Sequence, residues 1–107
     1  MVSFGEMVRK ERRKEGLSVR ALATACSEQA GVGISRSSVN FLEIGKNLPT
    51  YSVALSVAEV LGIDPEKALK AVFRERVEHF RDREKSYLEE FLRENKRLSL
   101  DQDKITK

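Results

Sequence analysis

The chain has 107 residues, 40% of them apolar and 35% charged, with a formal net charge of +3, which is one domain's worth of sequence with an appendage. A mildly basic balance is compatible with a polyanionic partner and demonstrates none. One cysteine (Cys26) excludes an internal disulfide, one His (His79) with one Cys excludes a tetrahedral His/Cys zinc site, and no apolar run approaches the ~20 residues that span a bilayer.

The charge is unevenly textured. Residues 1–62 carry 8 Lys/Arg and 6 Asp/Glu and hold all six glycines, whereas residues 63–107 carry 12 and 11 and no glycine. A turn-containing unit is therefore followed by a charge-dense, turn-poor segment. The opening Met-Val-Ser-Phe-Gly-Glu has no apolar h-region, so no secretory signal is expected and the expected location is cytoplasmic.

The first predicted helix covers residues 4–15, with Phe4, Met7 and Val8 as its apolar stripe. Ser3 and Glu6 have capping-box spacing, and Gly16 suits a left-handed C-terminal cap. Arg9, Lys10, Arg12, Arg13 and Lys14 cover the other faces, interleaved with glutamates as on a solvated surface. Ser18 caps a second helix from Val19, with Ala21, Leu22 and Ala25 on its inner side. That helix ends either near Cys26 or at Gly31, and Gly31-Val32-Gly33-Ile34 is a turn. Cys26 sits beside the apolar side and reads as a buried, unreactive thiol.

Ser35 caps a third helix over residues 36–44, closed by Gly45. At 100° per residue Val39 and Leu42 face inward, while Ser37, Asn40, Phe41 and Ile44 face outward and Arg36 occupies the exposed first turn. A fourth helix runs from Tyr51 to Leu61 between the cap Thr50 and Gly62; Val53, Leu55, Val57, Ala58 and Leu61 make it apolar around much of its circumference. Such a helix belongs at the centre of a small bundle. Asp64-Pro65 then starts a fifth.

Helix, Gly16-Leu17-Ser18, helix, turn, short helix closing in Leu42-Glu43-x-Gly45-Lys46, Leu48-Pro49-Thr50, and helix ending Leu61-Gly62-Ile63: this order resembles the Cro/C1-type (XRE family) helix-turn-helix regulators. Phe4-Gly5-Glu6 and Ile34-Ser35-Arg36-Ser37-Ser38-Val39 add to the match, which covers about residues 4–70. The resemblance implies an all-α fold, a five-helix repressor-like bundle in which the second and third helices read double-stranded DNA. Carried over by position, it implies base contacts from Arg36, Ser37 and Phe41, a base or phosphate contact from Ser38, a phosphate contact from Lys46, and a structural salt bridge between Arg12 and Glu43. The chemistry of the residues agrees: Arg bonds two acceptors on guanine, Ser and Asn (here Asn40) bond either base type, and Phe41 can pack on a thymine methyl. The helix starts at Ser18 and Ser35 offer N–H groups and positive dipole ends to phosphates. Arg20 stands beside Val19, where the family often has a phosphate-binding Gln. The turn after the second helix exceeds the family's by about six residues, within Cys26 to Gly33. The outward Phe41 and Ile44 are covered by the long loop or the C-terminal segment, touch DNA, or meet a protein partner.

From Asp64 to about Leu98 the chain has no helix breaker. Phe73, Val77, Phe80, Tyr87, Phe91 and Leu98 fall on a 4-3 register interrupted by Glu84 and Glu94, with Leu88 and Leu92 widening the stripe. This stripe either folds back on its own domain or pairs with a second copy, and dimerisation is the expected outcome. Ser86-Tyr87-Leu88-Glu89 has capping-box spacing, so one helix and a hairpin both remain open. His79 reads as solvated or interfacial.

The expected organisation is a DNA-binding domain over residues 1–72, a helical oligomerisation extension over 73–98 and a frayed tail over 99–107. The expected function is a sequence-specific homodimeric regulator, most simply a repressor on a palindromic operator. The alternative is a protein-interaction module, an antitoxin or adaptor, that keeps the fold. No enzyme is expected, because there is no phosphate-cradling glycine loop and no His/Cys/Asp constellation. No cofactor, metal or membrane is expected as partner.

Overall fold

The computed structural model describes residues 2–31 and 33–95. Among them are five helices and no strand: α1 (Phe4–Lys14), α2 (Val19–Gln29), α3 (Arg36–Glu43), α4 (Tyr51–Leu61) and α5 (Pro65–Glu94). The all-α, five-helix expectation is met. Leu98 of the apolar register and the expected tail over residues 99–107 lie outside the described residues.

The helix starts follow from side-chain capping. Ser3, Ser18, Ser35 and Thr50 each accept a hydrogen bond from the backbone N–H three residues on, at 3.1, 3.0, 3.1 and 3.2 Å. Each cap satisfies an orphan donor and contributes about 1 kcal/mol. The stops behave similarly. Gly16 and Gly62 both take the left-handed conformation, φ 71°, which closes α1 and α4. α1 and α3 are each one residue shorter than the sequence suggests, because Glu15 and Ile44 are already their C-caps.

Of the two ends weighed for α2, the structure takes the longer. The helix continues past Cys26 to Gln29, Ala30 caps it, and Gly31 turns the chain at φ 67°. The extra residues of this region thus lengthen the helix by about a turn and leave a short connection to Ser35. The inner side of α2 also differs from expectation. Leu22, Ala23 and Cys26 are buried, while Ala21 and Ala25 are only half-buried. Positions 22, 23 and 26 are i, i+1 and i+4 neighbours on one face, and 21 and 25 flank it.

The core is assembled from one stripe of each helix: Phe4 and Val8, Leu22 and Cys26, Val39 and Leu42, Ala54, Val57, Ala58 and Leu61, and then Ala68, Ala71 and Val72. Burying a Leu, Val or Phe side chain completely contributes about 1.5–3 kcal/mol. In α4 the buried set repeats at i, i+3, i+4 and i+7, which leaves Leu55 off the stripe and 42% exposed. Cys26 is fully buried, and loss of hydration pushes its thiol pKa up, so the protonated, inert form expected for a packing residue is favoured.

The described chain divides into two units between Arg76 and Val77. In the first, the start of α5 is tied to the bundle by more than apolar contact. Arg76 donates from Nη2 to the Pro49 carbonyl at 2.6 Å and stacks over the Tyr51 ring at 5.4 Å. Arg74 donates to the Val2 carbonyl at 3.1 Å. In the second, α5 continues helical through Ser86 to Glu94, so of the two forms weighed for this segment the single helix is found and the hairpin is not.

Candidate nucleic-acid interface

α3 is eight residues long, barely two turns, and its two sides have different tasks. Val39 and Leu42 insert into the core, and Glu43 is buried to 6% exposure. Arg36, Ser37, Ser38, Asn40 and Phe41 lie exposed on the remaining faces, as the 100° spacing predicts. α3 packs on α2 and on α1, which fixes it from two directions.

A buried carboxylate is costly unless fully paired, and Glu43 is paired three times. Arg12 donates from Nε to Oε2 at 2.7 Å and from Nη2 to Oε1 at 2.9 Å, a bidentate geometry. Its third nitrogen, Nη1, donates to the Leu17 carbonyl at 2.8 Å, in the loop that leads into α2. One guanidinium therefore joins α1, the loop before α2 and the end of α3. The hydrogen bond to Glu43 pushes the Arg12 pKa further up, and burial opposes the rise more weakly. Arg9, on the same face of α1 as Arg12, adds a second cation 3.5 Å from Glu43 Oε1.

Gly5 completes this anchor. A Cβ built there would lie inside contact distance of the Leu42 carbonyl oxygen and 2.9 Å from that of Glu43. The α1 backbone thus rests directly on the last turn of α3, an approach that only a residue without a side chain permits.

The predicted contact residues stand at three places. Ser18 and Arg20 are exposed at the start of α2, with Ser18 spending one lone pair on its cap. Ser35 and Ser38 share the start of α3: the Ser35 hydroxyl accepts from the Ser38 N–H and donates to the Ser38 hydroxyl at 2.9 Å. Lys46 follows α3 and is exposed. Its ammonium lies 5.8 Å from the centroid of the Phe41 ring, so the residue expected at phosphate covers the one expected at a base. Phe41 remains 38% and Ile44 48% exposed.

The sequence reading missed Gly5's reason for being glycine, the second cation Arg9, the Arg12–Leu17 bond and the Lys46–Phe41 stack. Of these only Arg9 had an available signal, its i, i+3 spacing to Arg12. The five residues expected at a dimer contact, Phe73, Val77, Phe80, Tyr87 and Phe91, are all exposed, Phe73 in the first unit and the others in the second. Among the described residues no group of three or more His, Cys, Asp or Glu is placed to hold a metal, and no described helix is long and apolar enough to cross a membrane.

The helix-turn-helix domain family model matches residues 3–69, from the Ser3 cap to the start of α5. The chain belongs to the helix-turn-helix domain family. No curated protein and no solved structure gives a significant match to it.

Proposed function

We propose that the protein is a sequence-specific, double-stranded DNA-binding regulator of the Cro/C1 type, a repressor acting as a homodimer on a palindromic operator. The observation that carries the reading is the two-sided α3: Val39, Leu42 and the Arg12–Glu43 pair hold it, and Arg36, Ser37, Asn40 and Phe41 are left exposed together. Inserted in the major groove, Arg36 bonds guanine O6 and N7, Ser37 and Asn40 select by hydrogen bonding, and Phe41 packs on a thymine methyl. Arg20, Lys46 and the capped starts of α2 and α3 contact phosphates, which position the helix and supply most of the affinity. The protein acts by binding, in the cytoplasm, and carries out no catalysis. Two α3 helices about a two-fold axis fit half-sites ~34 Å apart.

Arg36→Ala is the direct test. It weakens binding to the best operator by ~1–3 kcal/mol and relaxes preference at one base pair, measured by titration of duplexes selected from a random pool. Absence of duplex binding by the wild type at low salt overturns the reading. The second reading, an antitoxin or adaptor, is favoured by the exposed Phe41 and Ile44, and predicts that Ile44→Ser abolishes partner capture while duplex binding is absent.

A further inference from the structure

In the second unit every described helical residue except the half-buried Leu92 is exposed, and a row of large apolar groups runs along one side; Phe80 is 62%, Tyr87 58% and Phe91 50% exposed. A row at 4-3 spacing is the seam of a two-stranded coiled coil, with Val77, Glu84 and Phe91 at one set of core positions and Phe80, Tyr87 and Glu94 at the other. The two glutamates in that row decide which way a partner strand can run.

We infer that residues 77–94 of α5 pair antiparallel with the same segment of a second copy of the chain, with Glu84 level with Tyr87 of that copy. The inference rests on the homodimer of the proposed function and adds its strand direction and register. In a parallel, in-register pair, each core layer matches a residue with itself. Glu84 would then face Glu84 and Glu94 would face Glu94, two like-charge layers in a desolvated seam. Running the second strand backwards removes both. Phe80 then meets Phe91, the Glu84 carboxylate accepts from the Tyr87 phenol, and Val77 meets Glu94 at the ends of the seam, where water reaches the carboxylate. The two-fold axis repeats each layer, giving six layers over roughly 27 Å of helix.

The flanks of the seam agree with this register. In an antiparallel pair, residues preceding one set of core positions face their counterparts on the other strand, which brings Arg83 opposite Glu90 twice. Arg81 lies beside Leu88, whose side chain its aliphatic stem can cover. The two antiparallel registers one heptad away are poorer: one sets Glu84 against Phe80, Arg83 against Arg83 and Arg81 against Arg81, and the other sets Glu84 against Glu94 and Glu90 against Glu90. Charge complementarity thus selects one arrangement out of these four.

Light scattering of the full chain after size exclusion tests the pairing, with circular dichroism to report that each variant keeps its helices. The wild type runs as a dimer. Arg83→Glu and Glu90→Arg, each creating two like-charge contacts, raise the dimer dissociation constant on the order of tenfold. The double variant R83E/E90R returns it to the wild-type value, because positions 83 and 90 meet only across an antiparallel seam. A wild-type dimer indifferent to both reversals, or a double variant no tighter than the singles, overturns the antiparallel register and leaves the dimer standing. A monomeric wild type overturns the pairing together with the homodimer. In either case duplex binding by the first unit is read separately.

Discussion

Gly5 and Arg12 show how single residues set the pose of α3. Arg12 reaches three elements with one side chain, and its planar fork matches both oxygens of Glu43, which a lysine cannot do. Gly5 acts by what it lacks, since the carbonyls of Leu42 and Glu43 occupy the space a methyl group would need. Gly5→Ala is therefore expected to lower stability by about 1–3 kcal/mol through forced separation of α1 from α3. Gly33→Ala serves as the control, because its backbone is unstrained and its Cβ would meet nothing within 4 Å; its effect stays within about 0.5 kcal/mol. Urea unfolding of both variants measures the difference.

Among the elements, α3 depends most on its ends. Eight residues are too few for a helix to hold by propagation alone, so the Ser35 cap carries a large share of its local order. Ser35→Ala removes the acceptor for the Ser38 N–H and the partner of the Ser38 hydroxyl. The expected loss is about 1–2 kcal/mol in denaturant unfolding, against about 0.5 kcal/mol or less for the exposed Ser37→Ala. The elements also show what a sequence makes legible. α4 could be placed to the residue because Thr50 and Gly62 punctuate it, and Glu43 could be paired with Arg12 because the motif order resembled a known family. The end of α2 had no such marks: Ser27-Glu28-Gln29 neither favours nor breaks a helix strongly. Its buried face was misplaced because Ala21, Ala23 and Ala25 are alike, so periodicity had little to register. At Ser86 a capping pattern competed with strong helix formers on both sides, and continuous propagation won. The Lys46–Phe41 stack and the Gly5 contact depend on tertiary approach, which spacing along one chain does not encode.

At the scale of the whole molecule, the proposed function assigns holding and reading to different residues. Among the described residues the core cluster draws its last member, Val72, from the start of α5, within the first unit that ends at Arg76. A chain ended after Arg76 is expected to keep a cooperative thermal transition, run as a monomer, and bind an isolated half-site much as the full chain does. On the two-half-site operator of the proposed function it is expected to lose on the order of 10²–10⁴ in avidity, measured by duplex titration at fixed salt. A similar separation exists within α3, and it bears on how such a protein changes over time. The residues that fix the helix, Val39, Leu42 and Glu43, are buried, and those that the proposed function assigns to base contact are exposed. Substitutions at Arg36, Ser37 or Asn40 consequently shift stability by only about 0.5 kcal/mol, a small fraction of a domain's margin. Under the proposed function, the scaffold therefore tolerates drift at the positions assigned to base contact, and single exposed replacements there are expected to change operator preference while the fold is kept.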